Sequence, residues 1–254
     1  SLGQQNYAHG KNSLAVGYKS YANTAYSIAI GREVTSRGDT SIAMGKETTA
    51  SGQYSTVMGY KTTASGASST AMGVGTRASG YASTAIGTAT KASNGSSTAM
   101  GIGTTASGYA STAMGSATTA SGFVSTAMGL STEASGSVSV ALGQSSKASN
   151  YYSFAMGYNS HASGSTSVAI GYQTNAGGKY SQALGYKTLS CGTSSIAIGY
   201  ESRTNGPYAL AQGYQSYANG IASIAMGYQA KACGLYSISL GQQTYAQGKN
   251  SFAA

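Results

Sequence analysis

The sequence contains few residues that could carry out catalysis. Glu33 and Glu47 are fourteen residues apart. In a chain that repeats at this interval they would lie about 4.8 Å apart, near the separation of about 5 Å between the two carboxyl groups of retaining glycosidases. Lys19 and Lys61 precede and follow the pair at the same interval. We therefore interpret the four residues as a solvated ladder of salt bridges rather than an acid–base pair.

The other reactive residues are too scattered to form an active site. Asp39 is the only aspartate, and His9 and His161 are far apart in the sequence, so we expect neither a catalytic triad nor a metal cluster. The serines recur with no base beside them, and Gly73-Val74-Gly75 lacks the spacing of a phosphate or dinucleotide loop. We predict that the protein is not an enzyme, with no catalytic residue, metal site or cofactor.

A glycine recurs at every fourteenth position, and we call these residues the register glycines. They are Gly3, Gly17, Gly31, Gly45, Gly59, Gly73, Gly87, Gly101, Gly115, Gly129, Gly143, Gly157, Gly171, Gly185, Gly199, Gly213, Gly227 and Gly241. So strict a period is typical of a solenoid, in which each repeat forms one coil stacked on the last. We predict one domain over residues 1–254, and we expect it to be part of a longer chain.

Each repeat contains two short strand patterns separated by turns. The first ends on the register glycine, as in Ser41–Gly45, and the second follows it, as in Thr48–Gly52. Small residues occupy alternate positions in both patterns, and alternate side chains of a strand point to opposite faces. The sequence thus predicts a flat coil with Ser, Ala, Thr and Gly inside. The second strand then has a polar outer face, and the first strand has an apolar one.

The apolar outer face predicts an interface between chains, because a continuous apolar stripe on a protein surface marks an interaction site. Burial of each such side chain is worth about 1.5–3 kcal/mol. The predicted interface residues are Ile28, Ile30, Ile42, Met44, Met58, Met72, Ile86, Met100, Met114, Met128, Val140, Leu142, Val168, Ile170, Ile196, Ile198, Ile224 and Met226. Gln182 and Gln212 interrupt this face, and we interpret them as polar layers of the interface. Such layers could hold water or an anion, and a hydrated layer without a function is the simpler interpretation.

A second glycine follows the register glycine by seven residues, with Thr24, Asn94 and Asn150 as replacements. Glycine and asparagine both tolerate the left-handed backbone region. We therefore predict a tight turn with a positive φ at this position. Thr24 fits only if the neighbouring Asn23 adopts that conformation instead.

Tyrosine follows the register glycine in six successive repeats. Stacking of like residues is the simpler interpretation of this tyrosine ladder, and a platform that binds a ligand is the alternative. The residues are Tyr158, Tyr172, Tyr186, Tyr200, Tyr214 and Tyr228.

Cys191 and Cys233 occupy equivalent positions three repeats apart. At about 4.8 Å per coil their separation is roughly 14 Å, beyond the limit of about 7 Å between the Cα atoms of a disulfide. We expect no intrachain disulfide.

The chain is basic, with 14 Lys and Arg against 5 acidic residues and a net charge of +9. A basic surface favours acidic partners such as sulfated glycans, anionic lipids or nucleic acids. The charges form no basic run, so we expect no nucleic-acid interface. No stretch of about 18 apolar residues is present, so we expect this segment not to insert into a membrane.

The repeat unit resembles the head repeat of YadA-like trimeric autotransporter adhesins. Asn12–Gly17, Ser167–Gly171 and Ser195–Gly199 carry the resemblance, together with second-strand units such as Thr104–Gly108, and it covers essentially the whole chain. It implies an all-β fold, a left-handed parallel β-roll that assembles as a parallel homotrimer with the Val and Ile columns around the three-fold axis. It also implies display at the cell surface through a stalk and an outer-membrane anchor outside this segment.

We therefore expect a cell-surface adhesin head or shaft that attaches to host matrix proteins, glycans or cells through three copies of a repetitive surface. A structural segment of a viral or extracellular fibre is an alternative. An ice-binding solenoid is a weaker one, because Arg77 and Lys91 interrupt the threonine column between Thr63 and Thr105 that would order water.

Overall fold

The structure is a computed structural model that describes residues 2–254, and every regular element in this range is a β-strand. The chain divides into two compact units, residues 1–129 and 130–254. That the whole chain is one domain stays a prediction.

The first unit contains a longer and a shorter strand in each repeat. The longer strands are β1 (Leu2–Gln4), β3 (Leu14–Tyr18), β5 (Ile28–Arg32), β7 (Ile42–Lys46), β9 (Thr56–Tyr60), β11 (Thr70–Val74), β13 (Thr84–Thr88), β15 (Thr98–Ile102), β17 (Thr112–Ser116) and β19 (Thr126–Leu130). The shorter strands are β2 (Tyr7–Ala8), β4 (Tyr21–Ala22), β6 (Thr35–Ser36), β8 (Thr49–Ala50), β10 (Thr63–Ala64), β12 (Arg77–Ala78), β14 (Lys91–Ala92), β16 (Thr105–Ala106) and β18 (Thr119–Ala120).

The second unit repeats this alternation. Its longer strands are β21 (Val140–Gln144), β23 (Phe154–Tyr158), β25 (Val168–Tyr172), β27 (Gln182–Tyr186), β29 (Ile196–Tyr200), β31 (Leu210–Tyr214), β33 (Ile224–Tyr228), β35 (Ile238–Gln242) and β37 (Phe252–Ala253). Its shorter strands are β20 (Glu133–Ala134), β22 (Lys147–Ala148), β24 (His161–Ala162), β26 (Asn175–Ala176), β28 (Leu189–Ser190), β30 (Arg203–Thr204), β32 (Tyr217–Ala218), β34 (Lys231–Ala232) and β36 (Tyr245–Ala246).

Within each unit, equivalent strands of successive repeats pair in parallel. β3 pairs with β5 so that Gly17 lies beside Gly31, and β25 pairs with β27 so that Gly171 lies beside Gly185. The shorter strands pair in the same way, as in β8 with β10. One repeat is therefore one coil, which confirms the all-β parallel solenoid. The longer strands extend one residue beyond the register glycine, where the sequence pattern predicted their end.

The interior of each coil is filled by small side chains, as predicted. Ala15, Ala29 and Ala43 of the longer strands are fully buried, and so are Ala22 and Ala50 of the shorter strands. The largest buried side chains are valines and threonines. Two sheets that face each other across such small residues leave no space for large side chains, which must lie on the outer faces.

The serine four residues before each register glycine closes a turn. In Ser41 both the backbone N–H and the hydroxyl donate to the carbonyl oxygen of Gly38, at 3.1 and 2.6 Å. Ser167 donates its hydroxyl to Gly164 at 2.7 Å in the second unit. Ala209 replaces this serine in one repeat and keeps only the backbone bond.

Register glycines such as Gly17 lie where two coils approach too closely for any side chain. Gly17 has a φ of +122°, and a Cβ atom there would lie 2.0 Å from the carbonyl oxygen of Gly31. Both the backbone conformation and the neighbouring coil therefore require glycine.

The predicted positive φ at the second glycine is wrong. No residue at this position has a positive φ, and neither does Asn23. A Cβ atom on Gly38 would instead lie 2.0 Å from the carbonyl oxygen of Gly52, so close approach of the coils favours glycine. Thr24, which replaces this glycine in one repeat, donates its hydroxyl to the carbonyl oxygen of Gly38 at 2.7 Å.

Positive φ angles occur instead at two other corners of each coil, two and nine residues after the register glycine. Tyr26 has a φ of 56° and Glu33 a φ of 57°. Their N–H groups donate at 2.8 Å to the carbonyl oxygens of Lys11 and Tyr18 in the preceding coil. Few residue types other than glycine adopt the left-handed backbone region readily. The hydrogen bonds between coils must therefore offset the conformational free energy that this backbone costs.

Candidate functional site

The predicted interface residues form columns on the outer face of the longer strands. In the first unit Ile28 pairs with Ile42, and Ile30 pairs with Met44. None of the predicted interface residues of this unit is buried in the single chain, and Met44 and Met128 are 37% and 38% exposed. The apolar outer face is thus present as predicted, and its role between chains stays a prediction.

The second unit has the same columns with polar interruptions. Val140, Leu142, Val168, Ile170, Ile196, Ile198, Ile224 and Met226 are all half-buried. Gln182 lies between Val168 and Ile196, and Gln212 lies between Ile198 and Met226. Both glutamines are exposed.

The six tyrosines of the tyrosine ladder stack on one another. Successive ring centroids are 4.7–5.0 Å apart, with interplanar angles of 3–9°. Desolvation and the neighbouring Glu201 raise the pKa of Tyr200. The stacking interpretation is confirmed, whereas the ligand platform stays a prediction.

Glu33 and Glu47 form salt bridges with basic neighbours. Glu47 lies 3.6 Å from both Lys46 and Lys61. Glu33 lies 3.7 Å from Arg32, so its partner is this arginine and not Lys19. The salt-bridge interpretation is confirmed for Glu47 and Lys61.

Tyr60 joins the ion pairs of Glu47 into one cluster. The ammonium groups of Lys46 and Lys61 lie 5.0 and 5.1 Å from its ring centroid, within range of cation–π attraction. Tyr60, and to a lesser degree Glu47, raises the pKa of Lys61.

The two histidines and the two cysteines lie in unrelated surroundings. His9 stacks on Tyr7 at 5.8 Å. Burial lowers the pKa of His161, and Lys147 in the preceding coil lowers it further. Cys191 and Cys233 are free thiols, and burial raises the pKa of Cys191.

Residues 2–254 contain no group of three or more His, Cys, Asp or Glu side chains that could hold a metal ion. In the same part of the chain, no helix has the length and apolarity needed to span a membrane.

Sequence reasoning missed a groove in the second unit, which we call the glutamine groove. It is open to solvent and has a volume of ≈ 840 Å³. Part of its lining is a ladder of side-chain hydrogen bonds, in which Gln243 donates to Gln229 at 3.3 Å, Gln229 to Gln215 at 2.9 Å, and Gln215 to Glu201 at 2.8 Å. The ladder fixes the orientation of these side chains.

A second part of the lining of the glutamine groove comes from the shorter strands. It contains Arg203, Tyr217, Lys231 and Tyr245. Arg203 donates to the hydroxyl of Tyr217 at 3.0 Å, and its guanidinium lies 5.7 Å from the centroid of that ring. The neighbouring Cys233 raises the pKa of Tyr245.

Recurrence of glutamine at 215, 229 and 243 was the available sequence signal for this groove. Side chains fourteen residues apart stack in one column, so three amides at this interval predict a hydrogen-bonded ladder. The shorter-strand column of the groove mixes residue types and gives no such signal.

The model of the YadA head domain repeat, which spans two copies of the repeat, matches nearly the whole chain. The matches cover residues 8–33, 36–62, 50–76, 64–90, 78–104, 92–118, 106–130, 134–160, 162–188, 192–216, 205–230, 218–244 and 232–254. A search of curated proteins gave no match. The fourteen-residue coils of both units are consistent with this repeat. The chain therefore belongs to the family of YadA head domain repeats.

Proposed function

We propose that this chain is the head or shaft of a trimeric cell-surface adhesin that attaches to host matrix proteins, glycans or cells. Its membership of the YadA head repeat family, which is generally trimeric and adhesive, is the observation that carries the proposal. A solenoid presents many similar coils along its surface, and three copies multiply the number of contacts.

The assembly proposed is a parallel homotrimer of left-handed rolls. The apolar columns of the longer strands lie around the three-fold axis, with Gln182 and Gln212 as polar layers. The support is the incomplete burial of these columns in the single chain. Burial of their apolar side chains against other chains would stabilise the assembly. The interior of the coil contributes mainly alanine, serine and threonine, so a large part of the apolar burial would come from association.

The proposed location is the outside of the cell, with attachment to the outer membrane through segments beyond this chain. The tyrosine ladder is proposed as one contact surface. Most of its rings are about 40% exposed, and stacking holds them in a row before a ligand arrives. Rigid aromatic side chains supply contact area at a small cost in conformational entropy.

The test of assembly is sedimentation of the wild-type chain and of the double variant Ile170→Asp, Ile198→Asp. We expect a trimer for the wild type and a monomer for the variant, because buried unpaired carboxylates are costly. A control with Thr105→Asp and Thr119→Asp adds the same charge on the shorter strands and should remain trimeric. A wild-type monomer would overturn the proposed assembly.

Adhesion is tested by retention of the wild-type trimer on a panel of immobilised matrix proteins and glycans at low and high salt. We expect retention on at least one surface, weaker at high salt where basic side chains contribute. No retention on any matrix protein, glycan or host cell would contradict the adhesive function.

A further inference from the structure

We propose that the glutamine groove binds an acidic oligosaccharide, one whose sugar units carry carboxylate groups as uronic acids do. The inference rests on the proposed adhesive function, because it assigns a ligand class to one part of the adhesive surface.

The shorter-strand residues of the groove lie on the other side of the coil from the predicted interface, and the amide ladder lies at the corner between the two strands. The longer and shorter strands turn their small side chains toward each other, so their outer faces point in opposite directions. The predicted interface residues lie on the outer face of the longer strands, whereas Tyr217 and Lys231 lie on that of the shorter strands. A ligand in the groove would therefore remain accessible in the trimer.

The amide ladder leaves hydrogen-bonding groups free for a ligand. Each glutamine amide has two N–H donors and an acceptor oxygen. Gln229 uses one N–H for Gln215 and its oxygen for Gln243, which leaves the second N–H. Amide groups held in a fixed orientation are suited to hydrogen-bond the hydroxyls of a sugar. Because the ladder orders the amides before binding, the entropy cost of binding is smaller.

Cationic groups select an acidic sugar. Lys231 lines the groove between the coils of Tyr217 and Tyr245, and it forms no salt bridge with any residue that the structure describes. Arg203 adds a second positive charge, and Glu201 at the end of the amide ladder is the one acidic residue of the groove lining. This small positive excess fits a single carboxylate near Lys231 better than a densely sulfated chain.

The two tyrosines supply apolar surface for the sugar rings. Tyr217 and Tyr245 are two coils apart, roughly 10 Å at about 4.8 Å per coil. A pyranose has apolar C–H faces that pack on aromatic side chains, and each tyrosine also carries a hydroxyl that can hydrogen-bond. The volume of ≈ 840 Å³ is large enough for several sugar units.

The test is isothermal titration of the wild-type trimer with a hyaluronan octasaccharide, which carries carboxylates and no sulfate. A heparin octasaccharide and a neutral chitin hexasaccharide serve as comparison ligands. We expect the hyaluronan fragment to bind more tightly than the neutral one. Non-specific charge attraction would make the more highly charged heparin fragment bind most tightly. We expect the affinity for heparin to be no higher than the affinity for hyaluronan.

Two variants assign binding to the groove. Lys231→Gln removes the unpaired charge, and Tyr245→Ala removes a ring. Each should weaken hyaluronan binding about tenfold, as expected for the loss of a charge-assisted hydrogen bond or a packed aromatic ring. The controls Lys91→Gln and Tyr21→Ala change the same column of shorter-strand residues outside the groove and should bind as the wild type does.

The outcomes separate this inference from the proposed function. Absence of hyaluronan binding, or equal loss with Lys231→Gln and Lys91→Gln, overturns the groove as a site for acidic sugars. Preference for heparin that both lysine variants reduce equally shows non-specific charge attraction and also overturns it. Retention of the same wild-type trimer on immobilised matrix proteins tests the adhesive function independently.

Discussion

Ser202 donates its hydroxyl to the carbonyl oxygen of Gly213, 2.8 Å away in the next coil. The same bond joins Ser20 to Gly31 at 2.9 Å in the first unit. In both units, a serine three residues after a register glycine thus links its coil to the next one. The hydroxyl is buried and satisfied.

Threonine at the same position does not make this bond. The hydroxyls of Thr76, Thr90 and Thr104 are buried and have no hydrogen-bond partner. The β-branched side chain has a restricted χ1 angle, and its hydroxyl stays in the small interior. Val34 occupies this position in one coil and is fully buried, so the interior accepts a side chain of this shape without a hydroxyl.

We therefore predict opposite effects of two substitutions. Thr104→Val should raise the free energy of unfolding by about 1 kcal/mol, because it removes an unpaired buried hydroxyl and keeps the shape. Ser202→Ala should lower it by about 1 kcal/mol, because the carbonyl of Gly213 loses its side-chain donor. Chemical denaturation at fixed protein concentration measures both. A destabilised Thr104→Val would show that its hydroxyl has a partner.

Two neighbouring glycines should respond differently to alanine. Gly101→Ala places a Cβ atom 1.9 Å from the carbonyl oxygen of Gly115 at a φ of +122°, so it must force the coils apart. We expect a loss of about 3 kcal/mol or more, typical of strain at such a backbone conformation.

Gly103→Ala is the matched control two residues away. A Cβ atom on Gly103 meets nothing within 4 Å, and Ala89 and Ala117 occupy the same corner in the adjacent coils with a φ of 53°. Thermal unfolding of this variant should be close to that of the wild type. Equal melting temperatures for the two variants would contradict the steric explanation of the register glycines.

The stability of the protein should depend on the protonation of His161. Burial and the nearby Lys147 lower the pKa of His161 below 6.5, so the unfolded chain binds this proton more readily than the folded one. Stability should therefore fall as the pH is lowered through about 6.5, and the decrease should end below the folded pKa.

His161→Asn provides the comparison, because Asn175 occupies the equivalent position in the next coil. The decrease in melting temperature between pH 7.5 and pH 5 should be smaller in this variant than in the wild type. If both proteins lose the same stability over this range, His161 is not responsible.

The sequence by itself determined the period, the pairing and the side chains inside the coil. Stacking of equal positions follows from an unbroken fourteen-residue interval, so Glu47 with Lys61 and the tyrosine ladder could be predicted without coordinates. Small and large residues alternate along each strand, so only the face with small residues fits the narrow interior of the coil. The small-residue faces of the longer and shorter strands therefore face each other.

Only the tertiary structure decided the backbone conformation at the corners of the coil and the position of the glutamine groove, because both depend on contacts between different columns. The sequence predicted a left-handed conformation at the second glycine, yet the positive φ angles lie at corners occupied by residues such as Tyr26 and Glu33. Hydrogen bonds to the preceding coil impose that conformation, and residue propensity does not reveal them. The glutamine groove likewise depends on a corner with positive φ at Gln215, which places the amide column beside the column of Tyr217.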